Sequence, residues 1–417
     1  MSQSAGRNYL AIPGPSVVPD RVLLAMHRAS PNIYEGPIVD MAESVKRDLR
    51  RFAATRHDIA VYISNGHGAW EAATSNLFSR GDRALVLVTG QFGAFWADAM
   101  RRQGVNVDVI DFGRSAPADP ARVADALAAD AAQEIRAVCL THVDTSTSIR
   151  SDILAIRKAI EAAGHPALLV VDAIASLGSD ELLMDDWGVD VLIGASQKGA
   201  MLPPGLGFVW FSGKARAASD KADLATPYWD WKPRADGEFY LRFGGTPPTQ
   251  LLFGLRESLT MILEEEGLAE AWKRHAALAR TVWAAFDAWS AGGDIGLNVP
   301  DPAARAHAVT TARIAGGQAT ALRNWLEANT GVTLSFGLGM AAPGSAAADD
   351  YLRMAHMGHV NGHMTLGVLA AMEAGMQALG IPHGRGAVEA AAQTFANAWK
   401  QGHTEEAHAR QAFAQAR

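Results

Sequence analysis

Short apolar runs, each closed by polar or glycine residues, recur along the first half of the chain. They fall at 60–64, 84–88, 105–110, 137–140, 167–171, 189–194 and 206–211. Runs of this length without strict alternation read as strands buried in a parallel sheet. Between them lie stretches with helical spacing: 20–56 (interrupted at 31–37), 70–79, 120–131 and 153–163. The alternation predicts an α/β architecture. Two long helical stretches, 250–266 and 268–291, then lead to a second region. There strands are expected near 308–314 and 332–335, and helices over 317–329 and 365–378, before an Ala-rich helical C-terminus. The predicted division is an arm at 1–19, a large domain at 20–289 and a small α/β domain at 290–417. Pro13, Pro15 and Pro19 give the arm a fixed path.

Two neighbouring runs end in chemistry. The run 167–171 closes on Asp172, and the run 189–194 closes on Ser196-Gln197-Lys198-Gly199. Ligands in open α/β sheets sit beyond the carboxyl ends of such strands, so an acid and a lysine share one crevice. Pyridoxal phosphate needs that pair. The lysine holds it covalently, and the aspartate keeps the ring nitrogen protonated so that the ring draws in electrons. Lys198 stands after an apolar strand and before a glycine and Pro203-Pro204, which suits a surface lysine poorly.

Other candidates cluster at run ends. Asn65-Gly66-His67-Gly68 joins a strand to a helix, the geometry of a phosphate cup. It lacks both the G-x-G-x-x-G spacing and the P-loop lysine, so nucleotide binding is not indicated. His67 reads equally as a capping or packing side chain. Phe92, after Thr89-Gly90-Gln91, reads on its own as a core residue. Thr145-Ser146-Thr147 follows another strand, where such residues also cap helices. His356, His359 and His363 raise a metal site, which the complete lysine–aspartate constellation makes unnecessary; no metal is expected.

The bulk numbers narrow the class without changing it. The chain has 417 residues, 49% hydrophobic and 19% charged, with a net charge of −7. Neither nucleic acid nor an anionic membrane is indicated, and no apolar run reaches the ~20 residues a membrane span needs. The one cysteine, Cys139, lies in an apolar run and reads as a small buried hydrophobe in a reducing compartment. The N-terminus has no signal-peptide pattern, and the C-terminal Gln-Ala-Arg is not a Ser-Lys-Leu address. A cytoplasmic location is expected.

Asp172, Ser196-Gln197-Lys198 and the following Leu202-Pro-Pro-Gly205 resemble the class V aminotransferases, most closely the alanine/serine–glyoxylate group. The likeness runs from Pro13-Gly-Pro15 to His356-Met-Gly358. It implies PLP fold-type I, with a mostly parallel seven-stranded sheet between helices plus a smaller C-terminal domain. It also implies a homodimer whose arm crosses to the partner and lines the site mouth. By the same resemblance Gly66, His67 and Gly68 bind the coenzyme phosphate and Phe92 stacks on the ring. Thr145 meets the phenolic oxygen, and Gln197 contacts the phosphate. Thr246, in Phe243-Gly-Gly-Thr-Pro-Pro248, reaches the partner's phosphate, and Arg353 binds the substrate carboxylate. Tyr34 lies near the substrate. Asp144 stands where the family has Glu, Ser148 where it has Gly, Phe243 where it has Tyr, and Tyr34-Glu35-Gly-Pro37 where it often has His-Arg-Gly-Pro. The implied reaction moves an amino group from serine or alanine to glyoxylate or a similar 2-oxo acid. Ureidoglycine, aspartate, pyridoxamine–pyruvate and aminophosphonate pairings remain open, with lyase chemistry behind them. The aromatic segment 226–234 receives no assigned role beyond a packed interface patch.

Overall fold

A computed structural model describes residues 4–415, with side chains described to residue 401. The first residues of the arm and the terminal Ala416-Arg417 lie outside those bounds. The central sheet has seven strands in the spatial order Asp58–Ser64, Gly205–Phe211, Val191–Ala195, Leu168–Asp172, Ile135–Thr141, Arg83–Val88 and Asn106–Asp111. All neighbours run parallel except Gly205–Phe211, which is antiparallel to both of its own. Residues 196–204 are too short a link for a parallel crossover, which needs a dozen residues or more. The next strand therefore turns straight back.

The inner strands Leu168–Asp172 and Val191–Ala195 are buried at every position, which explains their continuous apolar sequence. Separate apolar clusters fill the two faces of the sheet, one around Leu49, Phe52 and Trp210, the other around Trp70, Trp96 and Trp231. Cys139 is buried in the second, and burial pushes its thiol pKa up.

A five-stranded sheet follows in the order Tyr9–Ala11, Val332–Phe336, Tyr351–Ala355, Val309–Ile314, Ile295–Leu297. Its core includes Phe286, Leu322, Leu352 and Met372. The strand at the arm, Tyr9–Ala11, pairs parallel to Val332–Phe336 of its own chain. The arm strand is therefore part of the C-terminal sheet of its own chain. Tyr351–Ala355 and Ile295–Leu297 were missed in the pattern because each is short and mixed in polarity. The stretch 250–266 is a helix, Thr249–Thr260, that widens into a π-type turn, Met261–Glu266. No described helix is long and apolar enough to cross a membrane.

Candidate active site

Asp172 and Lys198 come together as the strand order requires. Asp172 closes the strand next to Val191–Ala195, and Lys198 lies in the turn beyond that strand. The turn has no slack. A Cβ on Gly199 would lie 2.0 Å from the Leu177 carbonyl oxygen. Ser196 Oγ donates to the Pro203 carbonyl (2.8 Å) and accepts from Leu206 N (3.1 Å). Ser16 of the arm binds the same turn, donating from N to the Gln197 carbonyl (2.9 Å) and from Oγ to the Lys198 carbonyl (2.7 Å). Lys198 Nζ donates to the Pro13 carbonyl. Gly14 takes φ +121°, a backbone conformation that favours glycine, and a Cβ there would also fall 2.4 Å from Nζ.

Burial brings the Lys198 pKa down to about 8; Arg353 adds to the drop and Asp172 opposes it. Burial lifts the Asp172 carboxyl to about 7, with Asp144 adding its repulsion. The Ile174 N–H (2.8 Å), the Trp70 indole and Lys198 pull the other way.

One cavity is lined by Lys198, Asp172, Gln197, Phe92, Thr145, Gly66 and His67, with Trp70, Val143, Ile174 and Ala175 completing the wall. His67 stands against the Trp70 ring (centroids 4.5 Å), and its partial burial lowers its pKa. The glycine stretch is helical from the outset: the helix is Gly66–Leu77, four residues longer at its start than its sequence spacing predicts. Asn65 is its cap, its Oδ1 accepting from His67 N (3.1 Å) and Gly68 N (3.4 Å). Gly68 does not line the cavity; its Cβ position faces Ser64 and Trp229.

Arg353 is buried and adjoins the cavity through Thr145. Nη1 donates to the Thr145 carbonyl (2.9 Å), Nη2 to Ser335 Oγ (2.8 Å) and Nε to the Phe336 carbonyl (2.8 Å). These acceptors are neutral; the Asp144 charge acts on the guanidinium without bonding it. Burial lowers its pKa to about 10. Thr145 belongs to a turn in which Ser148 takes φ +61°, the left-handed region that explains the family's glycine. Ser148 Oγ donates to the Thr147 carbonyl (2.6 Å) and accepts from Thr311 N (3.1 Å), bonds that hold the serine there.

Tyr34 and Thr246 are not brought to the cavity of their own chain. Tyr34 is 69% exposed and packs edge-on against Tyr240, and Thr246 lies exposed in the 244–248 loop. Phe243 is buried with Ile38, Ala42, Phe239 and Leu252, an apolar cluster that suits a ring without a hydroxyl. Trp231 stacks on Phe211 (4.3 Å, 8°) and the Trp229 carbonyl accepts from Tyr62 and Asn76, so the segment is anchored in the core there, while Thr226, Pro227, Tyr228 and Pro233 stay exposed. His356 is buried, its Nε2 against Thr310 Oγ1 (2.9 Å) and Nδ1 against the His307 carbonyl (2.8 Å). Among the described residues no group of three or more His, Cys, Asp or Glu is placed to hold a metal. The Pro13 carbonyl and Trp70 carried no sequence signal: a backbone oxygen has no side-chain signature, and a tryptophan in an apolar helix reads as core.

Residues 9–358 match the sequence pattern of the family described as Aminotransferase class-V. The chain belongs to the class-V aminotransferases. This class-V aminotransferase is 36% identical to the serine–glyoxylate aminotransferase of Methylorubrum extorquens, over 94% of its own length and 96% of the relative's. It is also 36% identical to the L-aspartate–glyoxylate aminotransferase of Paracoccus denitrificans (93% and 96%). Among solved structures it superposes on the pyridoxamine–pyruvate aminotransferase of Mesorhizobium loti with a TM-score of 0.85 at 24% identity, covering 95% and 100% of the two chains.

Class-V aminotransferases depend on pyridoxal 5′-phosphate, and the cavity of this one fits the group. Gln197 Oε1 is buried there without a hydrogen-bond partner, an acceptor open to a donor group of a ligand, while the NH2 of the same amide is the atom able to donate to a phosphate. An amine and a carboxyl of shifted pKa line the same cavity as the Phe92 ring. The protein is a class-V transaminase.

Proposed function

We propose that the protein transfers the amino group of a small amino acid, serine or alanine, to glyoxylate or a similar 2-oxo acid. One observation carries this reading. The buried guanidinium of Arg353, bonded only to neutral oxygens, adjoins the cavity that holds Lys198 and Asp172. A buried guanidinium with no carboxylate bonded to it favours an incoming anion, and its planar shape suits a carboxylate.

Bound pyridoxal phosphate supplies a ring that withdraws electrons from the substrate Cα. Lys198 holds the coenzyme and, once released, serves as general base and acid for the Cα proton. A pKa of about 8 suits an amine to both tasks near neutral pH. The Pro13 carbonyl gives the freed amine a hydrogen-bond acceptor. Asp172 holds the proton on the ring nitrogen, whose positive charge in turn keeps the carboxylate ionised. Phe92 would pack on the ring face, Thr145 would meet the phenolic oxygen, and Gln197 with Gly66 and His67 would hold the phosphate, Gly68 lying outside the cavity wall. Arg353 orients the donor and acceptor carboxylates.

Exposed Thr246 and Tyr34 fit a homodimer in which each chain completes the other's site, in a cytoplasmic enzyme. The two separate sheets support a large coenzyme-binding domain and a small C-terminal one, dividing near residue 290. A donor such as aspartate, ureidoglycine or pyridoxamine is the second reading, favoured by Tyr34-Glu35 in place of the family's His-Arg. A thiol-dependent lyase is disfavoured, since Cys139 is buried in a strand with its pKa raised. The test is a half-reaction screen. Candidate amino acids are added to coenzyme-loaded protein, and conversion of the coenzyme to its amine form is followed by absorbance. Serine or alanine is expected to react fastest; silence with both, alongside turnover of aspartate, would reassign the donor.

A further inference from the structure

The turn after Ile135–Thr141 carries a carboxylate that the proposed mechanism does not use. Asp144 is fully buried. Oδ2 accepts from Phe92 N (2.9 Å) and Gly93 N (3.1 Å), and Oδ1 from Ser146 N (3.0 Å) and Ser146 Oγ (2.6 Å). These donors are neutral, and two sit in the first turn of the helix Gln91–Arg102, whose positive end favours an anion. Gly90 leaves no room for anything larger, since a Cβ there would lie 2.2 Å from the Asp144 carboxyl carbon.

The same turn reaches in two further directions. Ser146 Oγ accepts from Gln91 N (2.8 Å), tying the helix start a second time. The Thr145 carbonyl accepts from Arg353 Nη1, and the Ser146 carbonyl accepts from Thr311 Oγ1 (3.1 Å) of the second sheet. Phe92 on one wall of the cavity and Arg353 beside it thus hang from one carboxylate. We propose that Asp144 is a positioning residue that locks Phe92 and Arg353 into a single frame, so that ring stacking and carboxylate capture stay in register. It touches neither coenzyme nor substrate. Its charge supports the Arg353 guanidinium, which Arg323 opposes, and disfavours ionisation of Asp172, which Lys198 favours. The inference rests on the roles given above to Phe92 and Arg353.

The experiment compares Asp144→Asn and Ser146→Ala with wild type as full-length, coenzyme-saturated protein. Asn keeps the shape but loses the charge and one acceptor. For Asp144→Asn the KM of the amino donor is expected to rise roughly tenfold, in line with a small misplacement of a binding group. The dissociation constant of acetate, read from the shift it causes in the bound coenzyme's absorbance, rises in parallel. Visible circular dichroism of the coenzyme weakens, and the alkaline limb of the donor KM moves to lower pH. Ser146→Ala keeps the charge: KM rises by a smaller factor and the alkaline limb stays in place. A lower melting temperature with KM, acetate binding, dichroism and pH limb unchanged would overturn the proposal. If Asp144→Asn does not fold, an unchanged KM and dichroism in Ser146→Ala overturns it alone. Failure of the underlying site reading shows separately, as a wild-type protein with no acetate-dependent shift.

Discussion

Lys198 and Asp172 pull each other toward the charged state while burial pushes both toward neutrality, and burial wins. The consequence for Lys198 is kinetic. Only the neutral amine attacks the coenzyme aldehyde, and its pKa has come down from 10.5 to about 8. Coenzyme uptake by the stripped protein should therefore speed up about tenfold per pH unit below pH 8 and level off above it. Stopped-flow absorbance measures this; a rise continuing to pH 10 would place the amine at its ordinary pKa. Asp172 has a consequence for stability. Its folded pKa, about 7, lies above the ordinary 3.8. A raised carboxyl pKa means that the folded state holds the proton more tightly. Its stabilising contribution is complete below about pH 4 and is lost as pH rises through about 7. Asp172→Asn should thus raise the melting temperature of the coenzyme-free protein at pH 8, by a margin that shrinks toward pH 4, while abolishing transamination. A variant that melts lower at pH 8 would contradict this.

At the level of elements, the helix Gly66–Leu77 presents its first N–H groups to a side chain of its own chain, Asn65. Asn65→Ala removes a cap contributing about 1 kcal/mol. If the helix start is the phosphate cup, coenzyme phosphate can accept from the His67 N–H that Asn65 binds. The stability lost in the coenzyme-free protein should then shrink on saturation with pyridoxal phosphate. Calorimetry of both forms decides it, and an equal loss in each would mean that the phosphate lies elsewhere. This helix also shows what the sequence made legible. The central strands and the Asp172–Lys198 pairing were readable because a strand buried on both faces has to be apolar throughout and has to end where polar chemistry begins. The helix start was not, since Gly66, His67 and Gly68 disfavour a helix interior but are tolerated in a capped first turn. Tyr351–Ala355 escaped because a short strand interrupted by Arg353 has the polarity of a loop. Only its place in the sheet, paired with Val309–Ile314 and Val332–Phe336, makes it a strand. The arm's course could not be read at all: Tyr9–Ala11 is set by a partner more than three hundred residues away in sequence.

For the molecule as a whole, the exposed loop around Thr246 is what a single chain leaves unexplained. If that threonine serves the site of a second copy, the arrangement is reciprocal under two-fold symmetry, and each site draws Lys198 from one chain and Thr246 from the other. Two defective proteins can then repair each other. Lys198→Ala chains alone have no reactive amine, and Thr246→Ala chains alone lack the crossing contact. In a mixed dimer, the chain that keeps Lys198 faces the chain that keeps Thr246, so one of the two sites is complete and the other carries both defects. Random reassortment of equal amounts makes half of the dimers mixed, with one good site in each, which restores about a quarter of wild-type sites. The Thr246→Ala background is subtracted from the unmixed control. Were Thr246 to act on its own chain's site, no mixed dimer would hold an intact site and mixing would restore nothing. Denaturing and refolding the two proteins together, then assaying the half-reaction with the preferred donor, separates these outcomes. Size-exclusion chromatography at the assay concentration checks that dimers are present.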